Sequence, residues 1–447
     1  MTIPCLIFLV IAAGVFAAAP VRPAILAVYL GGLMLLPIAD YGEAATAGGF
    51  PFWIVGPALP TETLVAKTWI APLAALILAT IRDGRTLAAW RPGLVDLPMA
   101  LWCAWPALGG LWVEAPSPAP WLAALQVLGC WGLPWVLGRA WFSGPQARIV
   151  LLRGIALAGV ACLPFAVLEG VRGPFLHDLV YGPHPFRADG ALRYVGFRPL
   201  GFFINGNLYG IWVAAAALAA IWCALARQGG RGGPLVAALA LGVAVASQSA
   251  GALLLLLMAL ALLATWRARG VLPLLAAGFL AAAGLLALHV SGVVPVEHIA
   301  RNTALGQTVL DGFRAVGRGS FLWRISQDLK SLAVFEGDLA TGVAVWDWWR
   351  AAGTRPWGLL MLMAGQYGLV AVAAVFAGLA AVVMSVLVRL RGTGAWRPEA
   401  AALPLAAIVL MALGDAMLNA FFLFPAVLAA GAMAGAARAP RATDGAS

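Results

Sequence analysis

The sequence predicts an all-α fold: a polytopic integral membrane protein with about 12–13 transmembrane helices and one large outside loop. Three observations carry this. The 447 residues are 63% hydrophobic and only 10% charged, with a mean hydropathy of +0.94. A soluble domain carries about 25% charged residues because its surface must be wetted, so this surface faces lipid. The apolar runs are continuous and mostly about 15–22 residues long, near the ~20 that cross the hydrocarbon core as a helix. Their continuity excludes an outer-membrane barrel, whose strands alternate.

Candidate spans fall at 3–19, 23–39, 66–81, 97–113, 119–138, 148–168, 202–226, 233–247, 250–266, 271–290, 358–388, 400–414 and 416–436. The first ends in Ala17-Ala18-Ala19-Pro20 like a cleaved signal. It lacks a basic leader and a second run follows at once, so it reads as a span. The run 358–388 is too long for one perpendicular crossing, so its start lies along the interface or leads in at an angle. The run 400–436 holds two crossings, broken at Gly414-Asp415.

Charge sorts the connections. Arg22, Arg82, Arg85, Arg91, Arg139, Arg148, Arg227, Arg231, Arg267, Arg269, Arg389, Arg391, Arg397, Arg438 and Arg441 stand in one alternating set, with Asp83, Asp96, Glu399 and Asp444 as its only acids. The other set comprises 40–65 with Lys67, 114–118, 169–201, 291–357 and Asp415, and holds 12 cations against 14 acids. The positive-inside rule puts the first set in the cytoplasm, with the N-terminus outside and the C-terminus inside. Three units follow: a bundle over 1–290 that includes the outside loop 169–201, the large outside loop 291–357, and C-terminal helices with a short tail over 358–447. The basic balance that suggests nucleic acid in a soluble protein reports sidedness here, so no nucleic-acid partner is expected. Cys5, Cys103, Cys130, Cys162 and Cys223 all lie in apolar runs and read as small core hydrophobes.

Outside arginine is concentrated in two places, 169–201 and 291–357. Arg318 through Asp328 reads as an amphipathic helix, with Arg324–Asp328 and Phe321–Ile325 at i,i+4. Arg314 and Arg318 share that spacing, and as like charges they repel unless an anion lies between them. Arginine suits phosphate because its planar fork donates two hydrogen bonds at once. An interfacial helix touching lipid headgroups accounts for the same stretch. Gly196 through Gly210 begins a span with Arg198, Asn205 and Asn207. Polar groups there must face a cavity or other helices, and Gly201, Gly206 and Gly210 allow close helix approach. Ser247-Gln248-Ser249 and Asp415 with Asn419 read as outside turns. The histidines His177, His184, His289 and His298 show no zinc spacing, and no outside loop contains Asp-x-Asp. No metal site and no cofactor is expected.

These stretches, in this order, resemble the O-antigen ligase and polysaccharide polymerase superfamily of bacterial inner membranes. The resemblance covers roughly residues 165–390: Arg198-Pro-Leu-Gly-Phe-Phe-Ile-Asn-Gly-Asn-Leu-Tyr-Gly210, Ser247-Gln-Ser-Ala-Gly251, then Ser320-Phe-Leu-Trp-Arg324 and Trp357 through Leu369. It implies a multi-pass protein of the bacterial inner membrane whose outside loops are periplasmic. The implied activity is metal-independent transfer of a glycan from a polyprenyl-pyrophosphate carrier to an acceptor hydroxyl, on a glycan or a lipid. Arg198, Arg318 and Arg324 would bind the pyrophosphate. A ligase carries a His-Asn before its Gly-x-x-Gly; here Thr354 and Arg355 stand in those places before Gly365–Gly368. Glycosyl transfer needs leaving-group charge stabilised and an acceptor hydroxyl deprotonated, and Glu169, Asp328 and Asp347 are the candidate bases. A transporter or flippase is the competing reading, and would need inverted repeats and broken helices around a midplane site. A catalytically silent scaffold of envelope-polysaccharide assembly is the third.

Overall fold

The computed structural model describes residues 2–38, 66–113, 116, 119–184, 192–268, 270–290, 296–315, 321–353, 356–417 and 419–435. Its regular elements are all helical. They are α1 (Thr2–Ala18), α2 (Val21–Leu35), α3 (Lys67–Ala89), α4 (Leu97–Gly109), α5 (Pro120–Val127), α6 (Leu133–Trp141), α7 (Pro145–Val160), α8 (Leu163–Arg172), α9 (Leu176–Tyr181), α10 (Gly206–Leu225), α11 (Gly233–Ala246), α12 (Ala250–Thr265), α13 (Val271–Val290), α14 (Val296–Asn302), α15 (Ala304–Ala315), α16 (Phe321–Leu332), α17 (Leu359–Arg389), α18 (Ala402–Ala416) and α19 (Pro425–Ala434), with short 3-10 turns between some of them.

Among the described residues, six helical stretches are long and apolar enough to cross a membrane: Leu94–Trp112, Pro120–Trp141, Pro145–Arg172, Gly206–Leu225, Leu359–Arg389 and Pro398–Ala416. Five more are apolar but shorter, including α11, α12 and α19. The protein is therefore a helical membrane-embedded chain. Its exposed side chains agree, since Ile3, Val10, Ile81, Leu111, Leu254 and Leu274 point outward from the helices, as lipid-facing residues do.

α10 is the central helix. Its residues Tyr209 through Ala220 are all buried, which suits a span hydrophobic on every side. Beside it an aromatic cluster joins four parts of the chain. Trp102 packs edge-on to Trp131 at 5.8 Å and to Tyr367 at 5.5 Å, and Trp131 stacks on Phe422 at 4.4 Å. Cys5, Cys130, Cys162 and Cys223 are buried and unpaired, as small core hydrophobes should be.

The two ends of the bundle separate as the charge alternation predicts. At one end Arg22 Nε donates to Trp141 O at 2.8 Å, and Trp222 Nε1 donates to Ala395 O at 2.7 Å. There Asp96 and Arg139 form a buried two-point ion pair, with Nε–Oδ1 at 2.7 Å and Nη2–Oδ2 at 3.1 Å. Trp135 Nε1 and Gly93 N supply the carboxylate's other donors, both at 2.9 Å. An ion pair taken out of water is tolerated when its remaining hydrogen-bond positions are filled in this way. The other end carries 169–184, the 192–205 strap, and the described parts of the large loop, 296–315, 321–353 and 356–357. Gln248, in the tight turn between α11 and α12, clamps that strap: Val195 N donates to its Oε1 at 2.9 Å and its Nε2 donates to Val195 O at 2.7 Å.

The long run at 358–388 is one helix broken at Gly368, where φ is +77° and ψ is 167°. Only glycine takes that backbone cheaply. Residues 339–344 of the large loop fill the break. Leu369 N donates to Leu339 O at 2.8 Å, Val343 N to Gly365 O at 2.9 Å and Ala344 N to Gln366 O at 2.9 Å. The oblique lead-in expected from length is thus a separate helical segment, ending where the loop is stitched in.

Candidate functional site

The site grows from Glu169, in the last turn of α8. Its carboxylate is fully buried. Oε1 accepts from Phe175 N at 3.1 Å and Leu176 N at 3.0 Å, while Oε2 accepts from Leu200 N and Gly201 N, each at 2.7 Å. One side chain thereby replaces water for four amides on two arms of the loop, as buried main-chain donors require. A carboxylate with both oxygens committed to backbone amides fits a positioning residue, not the acceptor-activating base expected of Glu169. Its position explains why the strap runs where it does, and so where Arg198 lies.

Arg198 is 7% exposed and rests on the first turn of α10. Asn205 caps that helix, its Oδ1 accepting from Asn207 N and Leu208 N at 2.9 Å each. A Cβ at Gly206 would collide with Arg198 Nε and Cδ, so this glycine makes room for a guanidinium, where close approach of another helix was expected. Gly210 does serve helix packing, since a Cβ there would collide with Ser249 at the start of α12.

From Arg198 a hydrogen-bond chain crosses the bundle. Its Nη2 donates to Asn207 Oδ1 at 2.8 Å, Asn207 Nδ2 to Asn419 Oδ1 at 3.4 Å, and Asn419 Nδ2 to Asp415 Oδ1 at 2.7 Å. The direction follows from chemistry: guanidinium only donates and an ionised carboxylate only accepts, so both amides must orient the same way. The chain is dipolar, with its cation beside the strap and its anion inside α18. Asp415 and Asn419 are 9% and 8% exposed, so the turn expected there is folded inward as part of the site.

Asp328 joins from the large loop. It lies on α16, described from Phe321 onward, while Arg318 through Ser320 lie outside the described residues. Its Oδ1 accepts from Trp357 N at 2.7 Å and Gly358 N at 3.4 Å, and the next amide, Leu359 N, donates to Asn419 O at 3.2 Å. Asp328 and Arg198, far apart in sequence, are thus connected through Gly358, Asn419 and Asn207. Asp347 is placed elsewhere: it pairs with Arg350 Nε at 2.8 Å, whose guanidinium lies 5.6 Å from the Trp346 and Trp349 ring centres. Arg324 is on α16 one turn before Asp328, described in its backbone alone. Arg318, Thr354, Arg355 and all of 40–65 lie outside the described residues. Arg314 pairs with Asp311 at 2.8 Å on an exposed face.

The chain matches no protein-family model, no curated protein and no solved structure. Its chemistry is therefore read from its own side chains. Among the described residues, no three His, Cys, Asp or Glu side chains converge as metal ligands do.

A second cluster adjoins the first, and the spacing of its residues does not predict it. His177 Nδ1 donates to Gly182 O at 2.9 Å and its Nε2 accepts from Ile38 N at 3.4 Å, which fixes a neutral tautomer. His184 contacts Phe203 O through Nε2 at 3.1 Å, and the two rings are 5.1 Å apart. Burial pushes His184 down to about 4 and lowers His177 as well. Beside them Lys67 Nζ donates to Leu36 O at 3.3 Å and to Phe202 O, and sits 5.6 Å from the Phe203 ring centre. Two histidines seven residues apart around Pro183 were the available signal for this cluster.

Proposed function

We propose that this protein transfers a glycan from a polyprenyl-pyrophosphate carrier to an acceptor hydroxyl on the periplasmic side of a bacterial inner membrane. The observation that supports the reading best is the buried chain Arg198–Asn207–Asn419–Asp415 meeting Asp328 at the start of α17. It links a guanidinium to a fixed anion and connects both, through Gly358, to Asp328 of α16, the helix that also carries Arg324. Leaving of a lipid pyrophosphate builds negative charge, and a preorganised guanidinium stabilises that charge without rearranging. Arg198 is the pyrophosphate-binding residue in this scheme, with Arg324 and Arg318 as its partners from the loop. Asp328, joined to that cation through Gly358, Asn419 and Asn207, is the base in this scheme.

The decisive experiment measures glycan transfer from a purified lipid-linked donor by the full chain in lipid nanodiscs. Arg198→Ala should abolish product while the chain remains folded, and Arg198→Lys should restore little, because a point charge does not reproduce the planar fork. Full product formation by Arg198→Ala would overturn the reading. A transporter is favoured by one observation, the broken helix at Gly368. Against it, the chain's own residues 339–344 occupy the break and take up the amides and carbonyls that an ion or solute would need.

A further inference from the structure

Beside the Arg198 chain lies an apolar pocket that the proposed chemistry has not used. Leu30, Leu33 and Met34 of α2 form one wall, Leu208 and Trp212 of α10 a second, and Phe422 through Pro425 a third. Lys67 and Thr68, at the start of α3, are its polar lining. Lys67 is only 8% exposed. Its ammonium is held by carbonyls from two separate segments, Leu36 and Phe202, which fix it at the pocket's end. Among the described residues no carboxylate lies within ion-pair distance of it. The nearby Glu169 is committed to four amides, and the nearby histidines are neutral.

A buried ion is costly to desolvate, and carbonyl dipoles return only part of that cost. An ionisable group held inside a membrane protein points to a ligand of opposite charge. The pocket beside it asks for hydrocarbon, and three close walls suit one chain better than two. We infer that this pocket seats a single-chain lipid phosphate, its phosphate on Lys67 and its hydrocarbon along Leu30, Met34, Leu208 and Trp212. The inference rests on the lipid-linked donor proposed above and assigns its lipid end a place. Leu208 follows Asn207 directly, and Phe422 lies three residues after Asn419, so two of the pocket's walls continue the segments that carry the Arg198 chain.

The test uses the full chain in phosphatidylcholine nanodiscs and radiolabelled farnesyl phosphate, with farnesol and phosphatidylglycerol as competitors. Farnesyl phosphate should bind saturably, resist both competitors, and lose about tenfold in affinity in Lys67→Gln while Lys67→Arg keeps most of it. Leu208→Trp, which fills the pocket and leaves Lys67 in place, should block binding too, and covers the case in which Lys67→Gln does not fold. Equal binding of farnesol, or undiminished binding by Lys67→Gln, overturns the site; displacement by phosphatidylglycerol overturns the single-chain ligand. Because binding is read without glycan transfer, a chain that binds but never transfers refutes the enzyme and leaves the pocket. A chain that transfers with Lys67-independent binding does the reverse.

Discussion

Arg198 and Asn207 are joined by a 2.8 Å hydrogen bond from guanidinium to amide oxygen, and that bond turns a loop cation into part of a membrane helix. Asn207→Asp puts a carboxylate where the amide oxygen was, neutralising the cation and placing an acid beside Asn419. Folding should survive, since opposite charges then face each other. Glycan transfer should fall at least about tenfold, or about 1.4 kcal/mol of barrier. Turnover of lipid-linked donor, set against thermal unfolding of the same sample, checks it; unchanged turnover would show that the charge of Arg198 is not used.

Gly206→Ala probes the same cation sterically. The added methyl meets the end of a flexible side chain, so Arg198 yields and the backbone stays. Thermal stability should change by less than about 1 kcal/mol. Transfer should drop severalfold through the misplaced guanidinium. A variant equally active and equally stable would mean that the position of Arg198 over the helix is incidental.

Glu169→Gln leaves one acceptor oxygen where there were two and turns an amide NH₂ toward backbone donors. At least two buried N–H groups lose their partner, a cost of about 2–4 kcal/mol. The stretches 173–184 and 192–205 should become the first sites of limited proteolysis, and the unfolding temperature should fall. Intact resistance to protease would show that the strap is held by other contacts.

Acid should loosen the same stretches. His184 has a folded pKa of about 4, below the ordinary histidine value of 6.5, because burial disfavours its cation. Between those values the unfolded chain binds a proton that the folded chain refuses, so stability is present above about 6.5 and drains away as pH falls toward 4. Hydrogen exchange in 173–184 and 192–205 should accelerate over that window, and His184→Asn should flatten the response. An unchanged pH profile in that variant would assign the acid sensitivity to another group.

The helical membrane fold was legible from the length and spacing of apolar runs, because lipid leaves the backbone few alternatives. The alternation of basic connections foreshadowed the grouping of Arg22, Arg139 and Arg148 near Trp141 and Ser143. The site was only half legible. Arg198 stood out because a cation at the mouth of a span is expensive, but Asp415 and Asn419 looked like any exposed turn. Their inward fold depends on contacts 212 residues distant, between Asn207 and Asn419, and local pattern is silent about such contacts. Glu169 was recognisable as an acid with work to do, yet only geometry distinguishes a base from an anchor. Gly206 shows the same limit: a small residue on a helix signals close approach without naming the visitor.

The stitch at Gly368 bears on which part of the 296–353 region can move among its described residues. Leu339 through Ala344 are laced to Gly365 through Val370 by four main-chain bonds, and pulling them free would break all four. That makes 339–344 a fixed pin. Any swing of α16 must therefore pivot before Leu339, and it would lift Asp328 off the Trp357 and Gly358 amides.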